Sequence, residues 1–188
     1  MASYKVNPDI TEQENFVTLV NISNNTSFKP NELTFSDIAL IPGADITSTL
    51  QRNSTVHIVS TADSVYAVDN VVKYRRINLP TQMALLGFTN YELKLKESDL
   101  TVENVFRELD TLVRLHRASL DVVFTQVAEG REVSITPKVG NSIYLGKLVY
   151  IVKTDKIDVP VITDLGELTN IQLHMVAGLG EFTNEQQG

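Results

Sequence analysis

Three histidines are the first candidates in this chain for binding a metal or transferring protons near neutral pH. His57 alternates with apolar neighbours, which places it on the outer face of a strand. His116 ends an apolar helical stripe, where the helix dipole favours a cation, and His174 lies in a strand-like run. None has the HExxH spacing or another spacing typical of metal ligands. The pattern favours structural roles and predicts no metal site.

The carboxylates and glycines also lack the spacing of a reactive site. Acidic pairs near helix starts or on exposed faces indicate capping and solvation: Glu12/Glu14, Asp99/Glu103 and Glu108/Asp110. Gly178-Leu179-Gly180 is followed by neither a lysine nor a third glycine, so we interpret it as a turn. We therefore predict no catalytic residue, no cofactor-binding residue and no enzymatic activity.

Composition narrows the possible partners. A net charge of -7 on 188 residues disfavours binding to a nucleic-acid backbone, which selects basic surfaces. The one basic cluster, Lys73, Arg75 and Arg76, is expected on an exposed strand face, solvated or facing an acidic partner. The absence of cysteine excludes disulfides and thiolate metal sites. No apolar run approaches the roughly 18 residues of a membrane span, and the N-terminus lacks a signal-peptide pattern, so we expect folding in the cytoplasm.

Hydrophobic periodicity predicts a mixture of helices and strands. Thr11 and Glu14 fit a capping box that begins a first helix, and residues 101–117 carry the apolar stripe of a second. Strands are expected at 33–43, 55–61, 64–68, 71–79, 120–130, 131–139, 141–145 and 147–153. The expected inward residues are Phe16, Leu19, Val20, Leu33, Phe35, Ile38, Leu40, Val56 and Ile58. Pro80 and Gly87 indicate a linker, in which residues 91–96 alternate like a strand.

The two halves of the chain follow one pattern. Residues 33–43 align with 120–130 at an offset of 87, and residues 55–61 align with 132–138 at an offset of 77. The difference equals the ten-residue loop 44–53, which only the first half carries. DSVYAVDNVVKY in turn aligns with NSIYLGKLVYIV, with the turn-prone Asp69-Asn70 opposite Gly146. The halves represent either a duplicated unit or two unrelated segments that share strand periodicity.

These patterns predict an α+β, mainly β fold of two similar modules. Each module has one helix and a small antiparallel sheet, and because each buries its own apolar face poorly, the two apolar faces are expected to pack together. The expected boundaries are 1–80 for the first module, 81–98 for the linker and 99–156 for the second module. A β-rich extension and a polar tail are expected at 157–188.

The repeated unit resembles modules in virion structural proteins of large (jumbo) tailed bacteriophages. In that pattern a Leu-Thr…Asp-Ile strand precedes a Thr-Val-x-Ile strand, followed by a Tyr-x-Gly turn and a Tyr-x-Arg-x-x-Leu segment. The first half matches at Leu33-Thr34, Asp37-Ile38, Thr55-Val56, Ile58, Tyr66, Tyr74, Arg76 and Leu79. The second half matches at Val133, Ile135, Tyr144, Gly146 and Val149. The first half departs from the pattern at Val68-Asp69-Asn70, where a glycine is expected.

The resemblance implies a non-enzymatic component of a phage particle, made in the host cytoplasm and located in the virion. Such a protein would decorate the head or build part of the neck or tail, in contact with other virion proteins and copies of itself. Exposed strand edges would suit strand addition between subunits. The alternative is a carbohydrate- or receptor-binding β-module of a phage fibre, which exposed aromatic residues would favour; an enzyme with an unrecognised motif is a third reading.

Overall fold

The computed structural model describes residues 4–154, which belong to one compact unit. The predicted extension at 157–188, with His174 and Gly178-Leu179-Gly180, lies outside the described residues. The helices are α1 (Glu12–Asn24), α2 (Leu79–Leu85) and α3 (Val102–Asp110). The strands are β1 (Leu33–Leu40), β2 (Ser54–Ser60), β3 (Asp69–Tyr74), β4 (Ile77–Asn78), β5 (Leu120–Val127), β6 (Gly130–Pro137), β7 (Tyr144–Leu145) and β8 (Leu148–Lys153). The predicted α+β, strand-rich fold is confirmed.

The described residues contain two similar modules with the same sheet topology. Strands β1-β2-β3 form one antiparallel three-stranded sheet and β5-β6-β8 form another, each beside one helix, α1 or α3. The pair Phe35–Ile58 becomes Val122–Ile135 in the second sheet, which reproduces the sequence offsets of 87 and 77. A short 3-10 turn also precedes the first strand of each sheet. Shared strand order and register favour a duplicated unit over a chance likeness of strand patterns.

The modules have separate hydrophobic cores, so the expectation of one shared core is wrong. The first core contains Phe16, Val17, Phe28, Leu33, Val56, Ile58 and Tyr74. The second core is larger because α2 and the linker cover it with Leu79, Met83 and Leu93. The two modules are joined by polar contacts and by β4 and β7, which pair in parallel.

Helix α1 begins as the sequence predicts. The Thr11 hydroxyl accepts from the Glu14 backbone N–H at 3.1 Å, and the Glu14 carboxylate accepts from the Thr11 backbone N–H at 2.8 Å. This capping box satisfies two backbone donors that a free helix end leaves unpaired.

We expect Thr11→Ala to lower the free energy of unfolding by about 1 kcal/mol, because the cap loses its side-chain acceptor. Thr11→Ser is the matched control, because it keeps the hydroxyl, and it should retain most of the stability. Urea denaturation measures both, and equal losses in the two variants would contradict the capping role.

Helix α3 ends at Asp110 and not at Arg117 as the stripe predicts. The Thr111 hydroxyl donates to the Glu108 carbonyl, and Leu112 N–H donates to the Leu109 carbonyl, which tightens the last turn. The chain then leaves the helix so that Leu115 and His116 are buried. Burial of these two residues outweighs the local helical pattern.

Three strand and turn predictions are wrong. Asp69-Asn70 lies inside β3 and makes no turn, whereas Gly146 does occupy a break between β7 and β8, with φ +76°. Residues 64–68 form no strand, because the Ser64 hydroxyl accepts from Tyr66 N–H and closes a local turn. Residues 91–96 form none either; their alternation buries Leu93 against the second core.

A bulge in β1 changes which of its side chains face the core, so one predicted inward residue is wrong. Asp37 has φ 51°, and the register shifts between Ser36 and Ala39. Leu33 is buried, and Phe35 and Ile38 pack against the first core, but Leu40 is 49% exposed.

Helix α2 was absent from the sequence prediction, although Asn78 at its N-cap and Pro80 in its first turn are typical start signals.

Candidate functional site

Glu12 connects the two modules. It is the first residue of α1, yet its Oε2 accepts from the backbone N–H of Ser142 at 3.0 Å and from the Ser142 hydroxyl at 2.8 Å. Its Oε1 accepts from the Ser119 hydroxyl. The prediction that Glu12 caps or solvates a helix is therefore wrong. We call the cluster of Glu12, His116, Ser119 and Ser142 the inter-module junction.

His116 is a buried member of the inter-module junction. It is 2% exposed, and its Nδ1 lies 2.6 Å from the Ser119 hydroxyl while its Nε2 lies 2.8 Å from the Ile10 carbonyl oxygen. The Tyr144 hydroxyl accepts from the His116 backbone N–H at 2.9 Å. The predicted position of His116 in a helical last turn is wrong, and its role is to join the segment before α1 to the second module.

The hydrogen bonds of the inter-module junction form one continuous series. A carbonyl oxygen only accepts, so Nε2 of His116 carries a proton toward Ile10. The Ser119 hydroxyl lies between His116 and Glu12 and contacts both side chains. These contacts connect the Ile10 backbone, His116, Ser119 and Glu12 in series, so they join the start of the chain to the second module.

The same residue types occur in a hydrolase triad, but the order here is different. In a triad the imidazole lies between the carboxylate and the hydroxyl, and the hydroxyl faces the substrate. Here the hydroxyl of Ser119 lies between the other two, and Ser119 is 1% exposed. This arrangement holds two modules together and offers no accessible nucleophile at Ser119.

Two further side chains strengthen the contact between modules. The Tyr74 hydroxyl donates to the Ser142 carbonyl at 3.0 Å, and burial raises the pKa of Tyr74. Arg76 donates to the Ser54 hydroxyl at 2.8 Å and to the Asn141 carbonyl at 3.4 Å, and burial lowers its pKa. Arg76 thus does not line an exposed face as the sequence predicts, whereas Lys73 and Arg75 are exposed.

His57 lies on the outer face of the first sheet, as predicted from its alternation. Its Nε2 is 2.6 Å from the Asp69 carboxylate, and its Nδ1 is 3.5 Å from Asp37. The hydrogen bond to Asp69, with a smaller contribution from Asp37, raises the pKa of His57 above its ordinary value. Within residues 4–154, no group of three or more His, Cys, Asp or Glu side chains is placed to bind a metal ion.

We expect Asp69→Asn to lower the pKa of His57, measured by NMR titration of the imidazole. Asp37→Asn is the matched control and should lower the pKa less, because Asp37 lies farther away. A raised folded-state pKa adds stability below the unfolded-state pKa of His57, and this gain is lost as the pH rises through the folded-state value. A larger fall in Asp37→Asn than in Asp69→Asn would contradict this geometry.

Apolar side chains are exposed on the outer faces of both sheets, and one pair of them occupies equivalent positions. Val71 on β3 corresponds to Val149 on β8, and both are exposed, as are Val123 on β5 and Ile151 on β8. Within residues 4–154, β1, β3, β5 and β8 each pair along one edge only. Strand edges and outward valines are features of surfaces that pair with other chains. These outer strands are the candidate interface.

The other surfaces are less suited to a ligand. A cavity of about 360 Å³ beside residues 114–118 contains two arginines, but Arg114 pairs with Asp9 and Arg117 with Asp110. None of the helices in residues 4–154 is long and apolar enough to cross a membrane.

Comparisons with protein-family models, with curated proteins and with solved structures found no significant match to this chain. The interpretation of the candidate interface therefore depends on the residues themselves and on the resemblance stated above.

Proposed function

We propose that this protein is a non-enzymatic structural component of a tailed-bacteriophage virion, located in head decoration, neck or tail. It acts through subunit–subunit contacts with other virion proteins and with copies of itself. The observation that carries the proposal is the pair of similar sheets whose outer strands expose apolar side chains, with Val71 and Val149 at equivalent positions. The resemblance of the repeated unit to virion modules supports the particular setting.

The polar inter-module junction is consistent with a rigid two-module building block. Its buried hydrogen bonds fix the orientation of one sheet relative to the other, so the outer strands of both modules keep a defined spacing. A subunit that binds neighbours on two sides needs such a fixed spacing, because assembly symmetry depends on the angle between its contacts.

Mass spectrometry of gradient-separated heads and tails from purified particles tests the proposal. We expect the protein in one of these fractions, in many copies per particle. Its absence from both would refute the structural role. Glycan-array binding by a protein that stays monomeric would instead favour the fibre module. Among residues 4–154, Tyr66 is the one exposed aromatic residue, at 55% exposure.

A further inference from the structure

The outward side chains of strand β3 are complementary to those of a second, antiparallel copy of the same strand. Asp69, Val71 and Lys73 all lie on the outer face of the first sheet and are exposed. If two copies of β3 pair antiparallel about a two-fold axis at Val71, the two valines face each other. Asp69 of each copy then lies opposite Lys73 of the other copy. Opposite charges and paired apolar side chains at directly facing positions stabilise an antiparallel strand pair.

The backbone hydrogen-bonding groups of β3 also suit this pairing. The carbonyl of Val68 accepts from Ser60 N–H at 2.8 Å, and the carbonyl of Tyr74 accepts from Asn53 N–H at 3.0 Å. Even-numbered residues of β3 therefore direct their backbone groups toward β2. Because successive residues of a strand face opposite sides, residues 69, 71 and 73 direct theirs toward the open edge. The residues with complementary side chains are thus the ones whose N–H and C=O groups are available for pairing.

The other outer strands lack this self-complementarity. Strand β1 is interrupted by the bulge described above, which blocks regular pairing. On β5, a two-fold axis at Val123 would place Asp121 opposite Thr125, with no charge pair. On β8, an axis at Ile151 would place Lys153 opposite a valine.

We propose that two copies of this chain associate through β3, with Val71 at the two-fold axis and reciprocal Asp69–Lys73 pairs on either side. The contact joins two three-stranded sheets into one six-stranded sheet. It is isologous and closed, so it yields a dimer and not a filament. Val71 is 69% exposed in the single chain, and in the pair its side chain would contact the partner's Val71. The inference rests on the proposed function in that the chain acts through contacts between subunits.

Size-exclusion chromatography with light scattering on the full chain, across protein concentrations, tests the proposal. We expect a dimer in the wild type and a monomer in Val71→Lys. Val139→Lys is the matched control, because Val139 is a fully exposed valine in the loop between β6 and β7, outside the candidate interface, and this variant should remain a dimer. A wild-type monomer at every concentration would overturn the inference, as would a dimer that Val71→Lys leaves intact.

A charge-reversal series tests the register. Asp69→Lys or Lys73→Asp places like charges opposite each other twice per dimer, and each should raise the dissociation constant about tenfold or more. The double variant Asp69→Lys/Lys73→Asp restores both pairs in reversed order and should recover the dimer. No recovery in a double variant that is folded by circular dichroism would overturn this register. These outcomes concern self-association alone, whereas presence in particles tests the proposed function separately.

Discussion

Replacing Glu12 with alanine is expected to lower the free energy of unfolding by about 3 kcal/mol. The substitution leaves the Ser142 backbone N–H, the Ser142 hydroxyl and the Ser119 hydroxyl without their acceptor. An unpaired buried donor costs about 1–3 kcal/mol, and three such donors lose their acceptor here. The half-buried position of Glu12 admits some water, which places the expected loss at the lower end.

Two variants control this prediction, which urea denaturation measures. Glu12→Gln keeps one carbonyl oxygen, so it should lose about half as much free energy as the alanine variant. Glu92→Ala removes an exposed carboxylate and should change stability by about 0.5 kcal/mol or less. A loss below about 1 kcal/mol in Glu12→Ala would contradict a stabilising inter-module junction.

Replacing Gly130 with alanine is expected to cost about 4 kcal/mol, the other large effect in this chain. Gly130 begins β6 with φ +146°, and a Cβ there would lie 2.1 Å from the backbone oxygen of Val152. Neither atom can move aside, since Val152 belongs to β8 and its ladder with β6 would have to open. We expect a lower thermal midpoint for the whole protein, because the inter-module junction couples the two sheets.

Gly140→Ala separates backbone strain from this collision. Gly140 also has a positive φ, +76°, but a Cβ there would meet nothing within 4 Å. Its expected cost is therefore about 1 kcal/mol, from conformational strain alone. Equal midpoints for the two variants in differential scanning calorimetry would show that the close approach of Val152 is relieved at little cost.

The sequence correctly predicts structural features that depend only on residues close to one another along the chain. The capping box of Thr11 and Glu14 spans three residues, and the burial of Val56 and Ile58 follows from alternation along one strand. The matching sheets were also predictable, because pairing register repeats wherever the apolar pattern repeats. The inward position of Leu40 was not, because one positive-φ residue upstream shifted the register.

The inter-module junction could not be predicted, because its partners are distant in sequence. Glu12 lies 130 residues before Ser142, and His116 lies 106 residues after Ile10. In the sequence, Glu12 has the pattern of a residue in the first turn of a helix, and His116 has the pattern of a residue in the last turn. The neighbouring residues support both interpretations. Only the packing of the modules brings them together. A Glu at a helix start with serines in two distant turns is too common a combination to be a signal.

This separation also has a consequence for the order in which the chain folds. Each sheet forms largely from hairpin contacts near in sequence, whereas the pairing of β4 with β7 and the Glu12 contacts close much longer loops. Closing a long loop costs chain entropy before its contacts form, so those contacts tend to appear after the rate-limiting step. Each sheet should therefore act as its own folding nucleus. Loss of Glu12 would then accelerate unfolding while leaving the refolding rate nearly unchanged. The inter-module junction would therefore slow the unfolding of the protein, which is a contribution to kinetic stability.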